Sequence, residues 1–469
     1  MNESNKVLES SKALPFGEGL GGAISSVYFL GIGGIGMSAL ARYFKSIGIK
    51  VSGYDKTPTV LTGKLEEEGI AIHFEDNISL IDKNAELVVY TPAVPKDHKE
   101  YNYLKDNNYT VLKRSEVLGM ITKSSYSICI AGTHGKTTTS AMIAHVLRHS
   151  DYGCNAFLGG IATNYATNFW SSEKNVSVAE ADEYDRSFLK LFPDVAVITA
   201  MDADHLDIYG TAEKLQDAFI EFANQVKPGG LLISKFGLSR SGEFKTTNKI
   251  SYSMQNNVAD AYAENIKLNN GSYVFDIVIK KERIRNVELN MGGMHNIENA
   301  VAAITVAKHI GIAAEKIKAA VAAFRGVKRR FEYVVKNDDV VMIDDYAHHP
   351  EELRALITGA KELFPGKKCT VVFQPHLFSR TKDFADGFAE VLSLADEVIL
   401  LPIYPAREKP VEGVNSEMIL NKMTSDNKRV LNREALLDWI KNNKQELLIT
   451  AGAGDIDNLV EPIKKYLEN

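Results

Sequence analysis

Three cysteines in 469 residues, Cys129, Cys154 and Cys369, are too few, odd in number and too far apart for a disulfide framework, and they fit a reducing compartment. Isolated thiols of this kind read as small buried hydrophobes. A surplus of positive charge is also missing. Lys and Arg number 54 against 60 Asp and Glu, for a formal charge of -6, and no basic run interleaves with aromatics. An extended nucleic-acid surface is therefore not expected, whereas small anionic ligands remain open. No leader with a cleavage site is visible. The uncharged stretch from Gly19 to Ala41 suits a membrane span poorly, because glycines recur through it and each weakens a helix. Internal repeats and low-complexity segments are absent as well. The polar start, residues 1–26, reads as a tail or cloning remnant.

What is present is an alternation of strand-like and helix-like runs. "SVYFLGI", "KVSGYD" and "ELVVYTPAV" are apolar strands, and "MSALARYFKSIG" has helical spacing, the pattern of a parallel sheet with crossover helices. It restarts at "SYSICIAGTHGKTTTSAMIAHVLRHS". From about Phe244 to Met291 short alternating runs with an Asn-Gly turn suggest antiparallel hairpins, followed by a helix at "HNIENAVAAITVAKHIG". A third α/β pattern begins with "DVVMIDDYAHHPEELRALI". A chain this long exceeds one ordinary core, so several domains are expected. The expected boundaries give domains at 27–122, 123–326 and 327–469.

Two glycine turns are candidate phosphate sites. In "GTHGKTT" the turn amides would point at phosphate oxygens, Lys136 would neutralise the outer phosphates and Thr137 would offer a hydroxyl to magnesium. Ile130 stands where the usual motif has its first glycine, so a shorter loop opening at Gly132 is implied. Two acidic strand ends follow: "EADEYD", with Glu180, Asp182, Glu183 and Asp185, and "DADHLD", with Asp204, His205 and Asp207. Hard oxygen donors of this kind suit magnesium. The other turn, "GIGGIG", fits a dinucleotide pattern with Asp55 at the ribose-binding distance, and equally a diphosphate on a helix N-terminus. "DDYAHHPEEL" and "FQPHLFSRTKDF" bring His348, His376, Arg380 and Lys382 to successive strand ends of one domain, which favours a shared site.

In order along the chain, "GIGGIGMSALA", "AGTHGKTTT", "EADEYDRSFL", "DADHLDIYG", "GMHNIENAVAA", "VKRRFE", "DDYAHHPEE", "FQPHLFSRTKDF" and "AGAGDI" resemble the Mur ligases, over nearly all of the sequence after about Ser26. The resemblance implies an α/β protein of three domains. These are a Rossmann-like N-terminal domain for a UDP-sugar, a central P-loop ATPase domain with a small inserted antiparallel sheet, and a Rossmann-like C-terminal domain for an amino acid. It also implies cytoplasmic peptidoglycan chemistry with ATP and Mg2+. The expected substrates are UDP-N-acetylmuramate and L-alanine, joined through an acyl phosphate, with neither nucleic acid nor membrane as partner. The expected state is a monomer or weak homodimer.

Residue by residue, the resemblance assigns the UDP-sugar to Gly33, Gly34, Ile35, Gly36, Asp55, Thr91, Arg114 and Ser115. ATP is assigned to Gly132, Thr133, His134, Gly135, Lys136, Thr137 and Thr138, with His295, Asn296 and Asn299 toward adenine and Arg330 and Asp345 completing the nucleotide site. Thr137, Glu180 and His205 match metal ligands. Tyr346, His348, His376 and Arg380 match positions around the amino acid, Arg380 being the expected partner of its carboxylate. Lys136, His205, His348 and Arg380 are the expected catalytic set. Two departures stand out: Leu377 replaces a second arginine found in many members, and Tyr184 replaces a frequent serine. Tyr184 also fits a recycling ligase that joins a murein tripeptide to the same sugar nucleotide. A dehydrogenase using "GIGGIG" for NAD, and a nucleotide-gated binding protein, are remoter alternatives.

Overall fold

The computed structural model describes residues 24–406 and 408–468. The polar start lies outside them up to residue 23. The chain divides into two compact units, one of residues up to 264, 277–284 and 298–321, the other of 265–276, 285–297 and 322–469.

The first unit opens with strands β1 (Ser26–Leu30), β2 (Lys50–Tyr54), β3 (Ala71–His73), β4 (Leu87–Tyr90) and β5 (Val111–Lys113). They form a parallel sheet in the order β3-β2-β1-β4-β5. Every residue of β1 is buried, as expected of a central parallel strand covered on both faces. Helix α1 (Ile35–Ser46) follows β1 directly and packs Leu40 and Phe44 into the core.

The second sheet contains β6 (Tyr126–Ala131), β7 (Asn155–Ala162), β8 (Thr167–Trp170), β9 (Val176–Glu180), β10 (Val195–Ile198), β11 (Leu231–Lys235), β12 (Lys249–Ser253), β13 (Ala261–Asn269), β14 (Ser272–Ile279) and β15 (Glu282–Leu289). Its order is β15-β14-β13-β12-β11-β10-β6-β9-β7-β8. The expected hairpin region is therefore not a separate small sheet. Strand β12 pairs in parallel with both β11 and β13, so the hairpin strands extend the central sheet. Asn270 and Gly271 both adopt positive φ between β13 and β14, as a two-residue hairpin turn requires.

Helix α2 (Lys136–His149) leaves β6 through the second glycine turn. Its His145 is 1% exposed. Nε2 donates to the Ala320 carbonyl at 2.9 Å and Nδ1 accepts from the Tyr165 hydroxyl at 2.9 Å, a set of partners that a neutral imidazole satisfies. Burial pushes its pKa down to about 4. The unfolded chain therefore binds one more proton between the ordinary histidine value and pH 4. This stabilisation is complete above roughly pH 6.5 and fades as the pH falls to 4, a loss of about 3 kcal/mol. Denaturant unfolding across this window is expected to show a steeper acid loss for wild type than for His145→Gln.

The second unit carries β16 (Glu332–Lys336), β17 (Val341–Asp345), β18 (Cys369–Phe373), β19 (Glu397–Leu400), β20 (Lys428–Val430) and β21 (Leu447–Ala451), in the order β16-β17-β21-β18-β19-β20. Only β16 is antiparallel to its neighbour; the other pairs are parallel. Helix α3 (Pro350–Leu363) starts on proline, which suits the first helical position. All three cysteines are buried and free, and no helix among the described residues is long and apolar enough to cross a membrane.

Candidate active site

The first glycine turn joins β1 to α1. Gly34 precedes the helix in an extended conformation without a side-chain cap, so the first amides of α1 have no side-chain acceptor there. A Cβ on Gly36 would lie 2.8 Å from Arg114 Nη1 and would displace this arginine from its place in the cleft. A cleft of about 440 Å³ is lined by Gly34, Ile35, Gly36, Thr91, Arg114 and Ser115. Gly33 and Asp55 do not line it. Instead Asp55 Oδ2 accepts the Gly33 amide at 2.7 Å, and Oδ1 accepts that of Thr57 at 3.2 Å. The spacing that suggested ribose recognition is thus used to close the loop on itself. The same cleft takes in Glu180 at the end of β9 and Asp182 and Tyr184 just beyond it.

The second turn sits at the carboxyl end of β6, where ligands bind in open α/β sheets. Gly132 and Gly135 both have positive φ, and Gly135 precedes α2 with no side-chain cap. Lys136 Nζ folds back, donating to the Gly132 carbonyl at 2.6 Å and to Glu183 Oε1 at 2.8 Å. Glu183 is 1% exposed. It was one of four acids in "EADEYD", and nothing in their spacing singled it out. Thr133 Oγ1 accepts the Asp202 amide at 3.2 Å, the His134 side chain is exposed, and Thr138 is buried. Asn299 lies under the turn rather than in an open pocket: it accepts from Thr139 Oγ1 at 3.2 Å, and a Cβ on Gly135 would lie 2.8 Å from its Oδ1.

Two donor groups adjoin Lys136. Thr137 Oγ1 donates to Glu180 Oε1 at 3.0 Å, and Glu180 Oε2 accepts the Gly159 amide at 3.0 Å. Burial raises the Glu180 pKa, with Lys136 opposing. A desolvated carboxylate beside a hydroxyl is a hard-oxygen set that fits Mg2+. His205, in the left-handed region at φ 48°, supplies Nε2 to a second group with Glu183 and Asp204, their ligand atoms all within 4.8 Å of one another. Its ring meets Tyr184 edge-on at 5.4 Å.

In the second unit the predicted residues gather at the ends of β17 and β18. Asp345 accepts the amides of Phe331 and Ala347, each at 2.7 Å, and burial raises its pKa. These bonds hold the turn after β17 around a side chain that stays partly exposed. His348 Nδ1 donates to the Tyr346 carbonyl at 2.9 Å, which leaves Nε2 as the acceptor. Arg380 Nη1 donates to His376 Nδ1 at 3.3 Å, and the two imidazoles lie 6.3 Å apart. Burial lowers both histidines, with Arg380 lowering each further, so they are neutral near pH 7. His376 also stacks on Tyr404 at 5.7 Å. Leu377, between these groups, has φ 69° and donates its amide to the Tyr404 carbonyl at 2.9 Å.

Of the adjacent arginines, Arg329 is tied to Asp344 at 3.3 Å, while Arg330 is exposed with its guanidinium 5.6 Å from the Tyr346 ring centre. Asn296 is buried and donates to the Gly292 carbonyl at 2.6 Å; His295 beside it is exposed.

A phosphate loop backed by two acidic strand ends, with a second glycine turn sharing a cleft with one of them, defines an α/β phosphate-transfer enzyme. Three family models match along the chain: "Mur ligase family, catalytic domain" over residues 26–126, "Mur ligase middle domain" over 130–307, and "Mur ligase, glutamate ligase domain" over 329–454. The chain belongs to the Mur ligase family of ATP-dependent ligases. It is 51% identical over 448 residues to a UDP-N-acetylmuramate--L-alanine ligase of Flavobacterium johnsoniae, covering 95% of this chain and 98% of that one. A ligase of the same name from Parabacteroides distasonis is 51% identical over 451 residues, covering 95% and 97%. Among solved structures, the UDP-N-acetylmuramate-alanine ligase of Thermotoga maritima matches with a TM-score of 0.79 at 28% identity, covering 94% of this chain and 98% of that one. A murein peptide ligase of Psychrobacter arcticus shares the fold, with a TM-score of 0.65 at 23% identity and coverage of 95% and 99%. The family and the α/β architecture read from the ordered motifs are borne out.

Proposed function

We propose that this chain joins L-alanine to the lactyl carboxylate of UDP-N-acetylmuramate, forming UDP-N-acetylmuramoyl-L-alanine, ADP and phosphate in the cytoplasm. The observation that carries the reading is the cleft in which Ile35 and Gly36, at the start of α1, and Arg114, just after β5, meet Glu180, beside the Lys136 loop. The relatives at 51% identity bear the name of this activity.

A free carboxylate has no good leaving group, so it must be activated. Its oxygen attacks the ATP γ-phosphorus, ADP leaves, and an acyl phosphate remains. The neutral amine of L-alanine then adds to the carbonyl carbon, and the tetrahedral intermediate expels phosphate with one of the original carboxylate oxygens. The uncapped N-terminus of α1, with Arg114, Ser115 and Thr91, would bind the diphosphate of the sugar nucleotide. Backbone amides of residues 132–138 and Lys136 would hold the ATP phosphates. Thr137 and Glu180 would hold one magnesium ion, and His205 with Glu183 a second. Magnesium supplies charge neutralisation between the two anionic reactants. His295, Asn296, Asn299 and Arg330 serve the nucleotide in this reading.

Arg380 would pair with the carboxylate of L-alanine. His348 Nε2, neutral and without a donor role, would take the proton from its ammonium group. Replacing Arg380 by lysine removes the planar fork, so Arg380→Lys is expected to raise the KM for L-alanine roughly 30-fold, about 2 kcal/mol, leaving the KM for ATP near wild type.

The recycling alternative rests on Tyr184, 49% exposed and lining the cleft. The experiment that separates the two is product formation with ATP, magnesium and UDP-N-acetylmuramate, using L-alanine or the murein tripeptide as acceptor. Turnover with alanine is the expected result. Turnover with tripeptide alone would overturn it.

A further inference from the structure

We infer that the β7–β8 hairpin sets the distance between the sugar-nucleotide turn and Glu180, with Asn168 as its positioning residue. The inference rests on the proposed phosphoryl transfer to a bound carboxylate.

Asn168 is fully buried in β8, where an unpaired amide would be costly. Its Oδ1 accepts Arg42 Nη1 at 2.5 Å, and its Nδ2 donates to the Ile35 carbonyl at 2.5 Å and to Ser38 Oγ at 3.0 Å. Ile35 is the first residue of α1 and lines the cleft. Arg42 is itself fixed, because its Nε and Nη2 grip the Glu68 carboxylate at 2.6 to 3.0 Å. One arm of the hairpin therefore holds the turn that would bind the sugar diphosphate.

The other arm reaches Glu180. In β7, Phe157, Leu158 and Gly159 line the same cleft, and the Gly159 amide holds Glu180 Oε2 at 3.0 Å. A Cβ on Gly159 would overlap that carboxylate. Rings lock the arms to α1 and to each other: Tyr43 lies 5.3 Å from Phe157 and 6.2 Å from Phe169, with Phe157 and Phe169 5.4 Å apart. A single two-stranded element thus grips both the acceptor's anchor and the carboxylate beside the phosphate loop. Phosphoryl transfer demands reacting atoms about 3 to 3.5 Å apart, and a misplacement near 1 Å costs on the order of 10²-fold.

The test compares Asn168→Ala and Asn168→Asp with wild type. Aspartate keeps the Arg42 pairing but cannot donate to the Ile35 carbonyl, and it carries the test should the alanine variant not fold. Three quantities are read: kcat for phosphate release, the Kd of UDP-N-acetylmuramate and of ATP each alone by calorimetry, and hydrogen exchange of the amides at 35–39. Both variants are expected to lose about 10- to 100-fold in kcat, to hold each Kd within about threefold, and to exchange faster at 35–39. Wild-type kcat in Asn168→Asp, or in folded Asn168→Ala, would overturn the inference. Unchanged exchange in both variants would overturn it independently of turnover. If wild type were inert with alanine while the variants still exchanged faster, the functional reading would fail and the positioning contact would stand.

Discussion

Lys136→Ala is expected to lower ATP-dependent turnover by about 10³-fold or more, because the turn loses the ammonium group that would neutralise the outer phosphates. The structure adds a second consequence that the motif alone does not supply. Lys136 Nζ is the ion-pair partner of Glu183, at 2.8 Å, and Glu183 is almost wholly buried. Removing the lysine leaves that carboxylate 3.9 Å from His205 Nε2 and within 4.8 Å of an Asp204 oxygen. Breaking a buried pair on one side costs about 3 to 5 kcal/mol, so the variant should also be markedly less stable. Adding Glu183→Gln to Lys136→Ala is expected to restore much of the stability and none of the turnover. Denaturant unfolding and phosphate release, run on the same samples, separate the two effects. A stable and active Lys136→Ala would refute the loop assignment.

Glu180→Gln carries the second largest expected effect. Glutamine preserves the shape of the side chain and one acceptor oxygen, which can keep the Gly159 amide while its NH2 turns to the Thr137 hydroxyl as a donor, and it removes the negative charge. Loss of an ionised oxygen ligand should lower turnover by about 10²- to 10³-fold. The magnesium concentration for half-maximal rate should rise at least roughly tenfold. Because burial raises the Glu180 pKa, its charge is lost above the ordinary carboxylate range as the medium is acidified. Protons should therefore compete with magnesium for this site, so that on acidification the magnesium concentration for half-maximal rate begins to rise at a higher pH than an exposed carboxylate ligand would give. An unchanged magnesium titration in Glu180→Gln would remove this residue from the metal site.

The phosphate loop was legible because its sequence signal and its structural context coincide: an apolar strand, two glycines in the left-handed region, and a helix beginning at Lys136. Arg380 and the two histidines were legible for a similar reason, since β17 and β18 both run parallel to β21, which lies between them, and so bring their carboxyl-end loops to the same edge of the sheet. Glu183 was not, because four acids crowd one strand end and only the three-dimensional turn decides which folds beneath the lysine. Asp55 stands at the spacing of a ribose ligand after the glycine turn, and only the structure shows that its carboxylate also accepts the Gly33 and Thr57 amides. The inserted hairpins were visible in their alternation and their Asn-Gly turn, but the parallel pairing of β12 depends on strand register over long range. Asn168 gave no signal at all: a single amide in "TNFW" acquires meaning only when α1 packs against it.

The central claim is that ATP activates a carboxylate, and the most direct measurement follows the oxygen atoms. UDP-N-acetylmuramate labelled with oxygen-18 in its lactyl carboxylate would be turned over with ATP, magnesium and L-alanine, and the released phosphate analysed by mass. The account predicts one labelled oxygen in each phosphate, carried over when the acyl phosphate is cleaved. Unlabelled phosphate, released at the same rate as product, would contradict it.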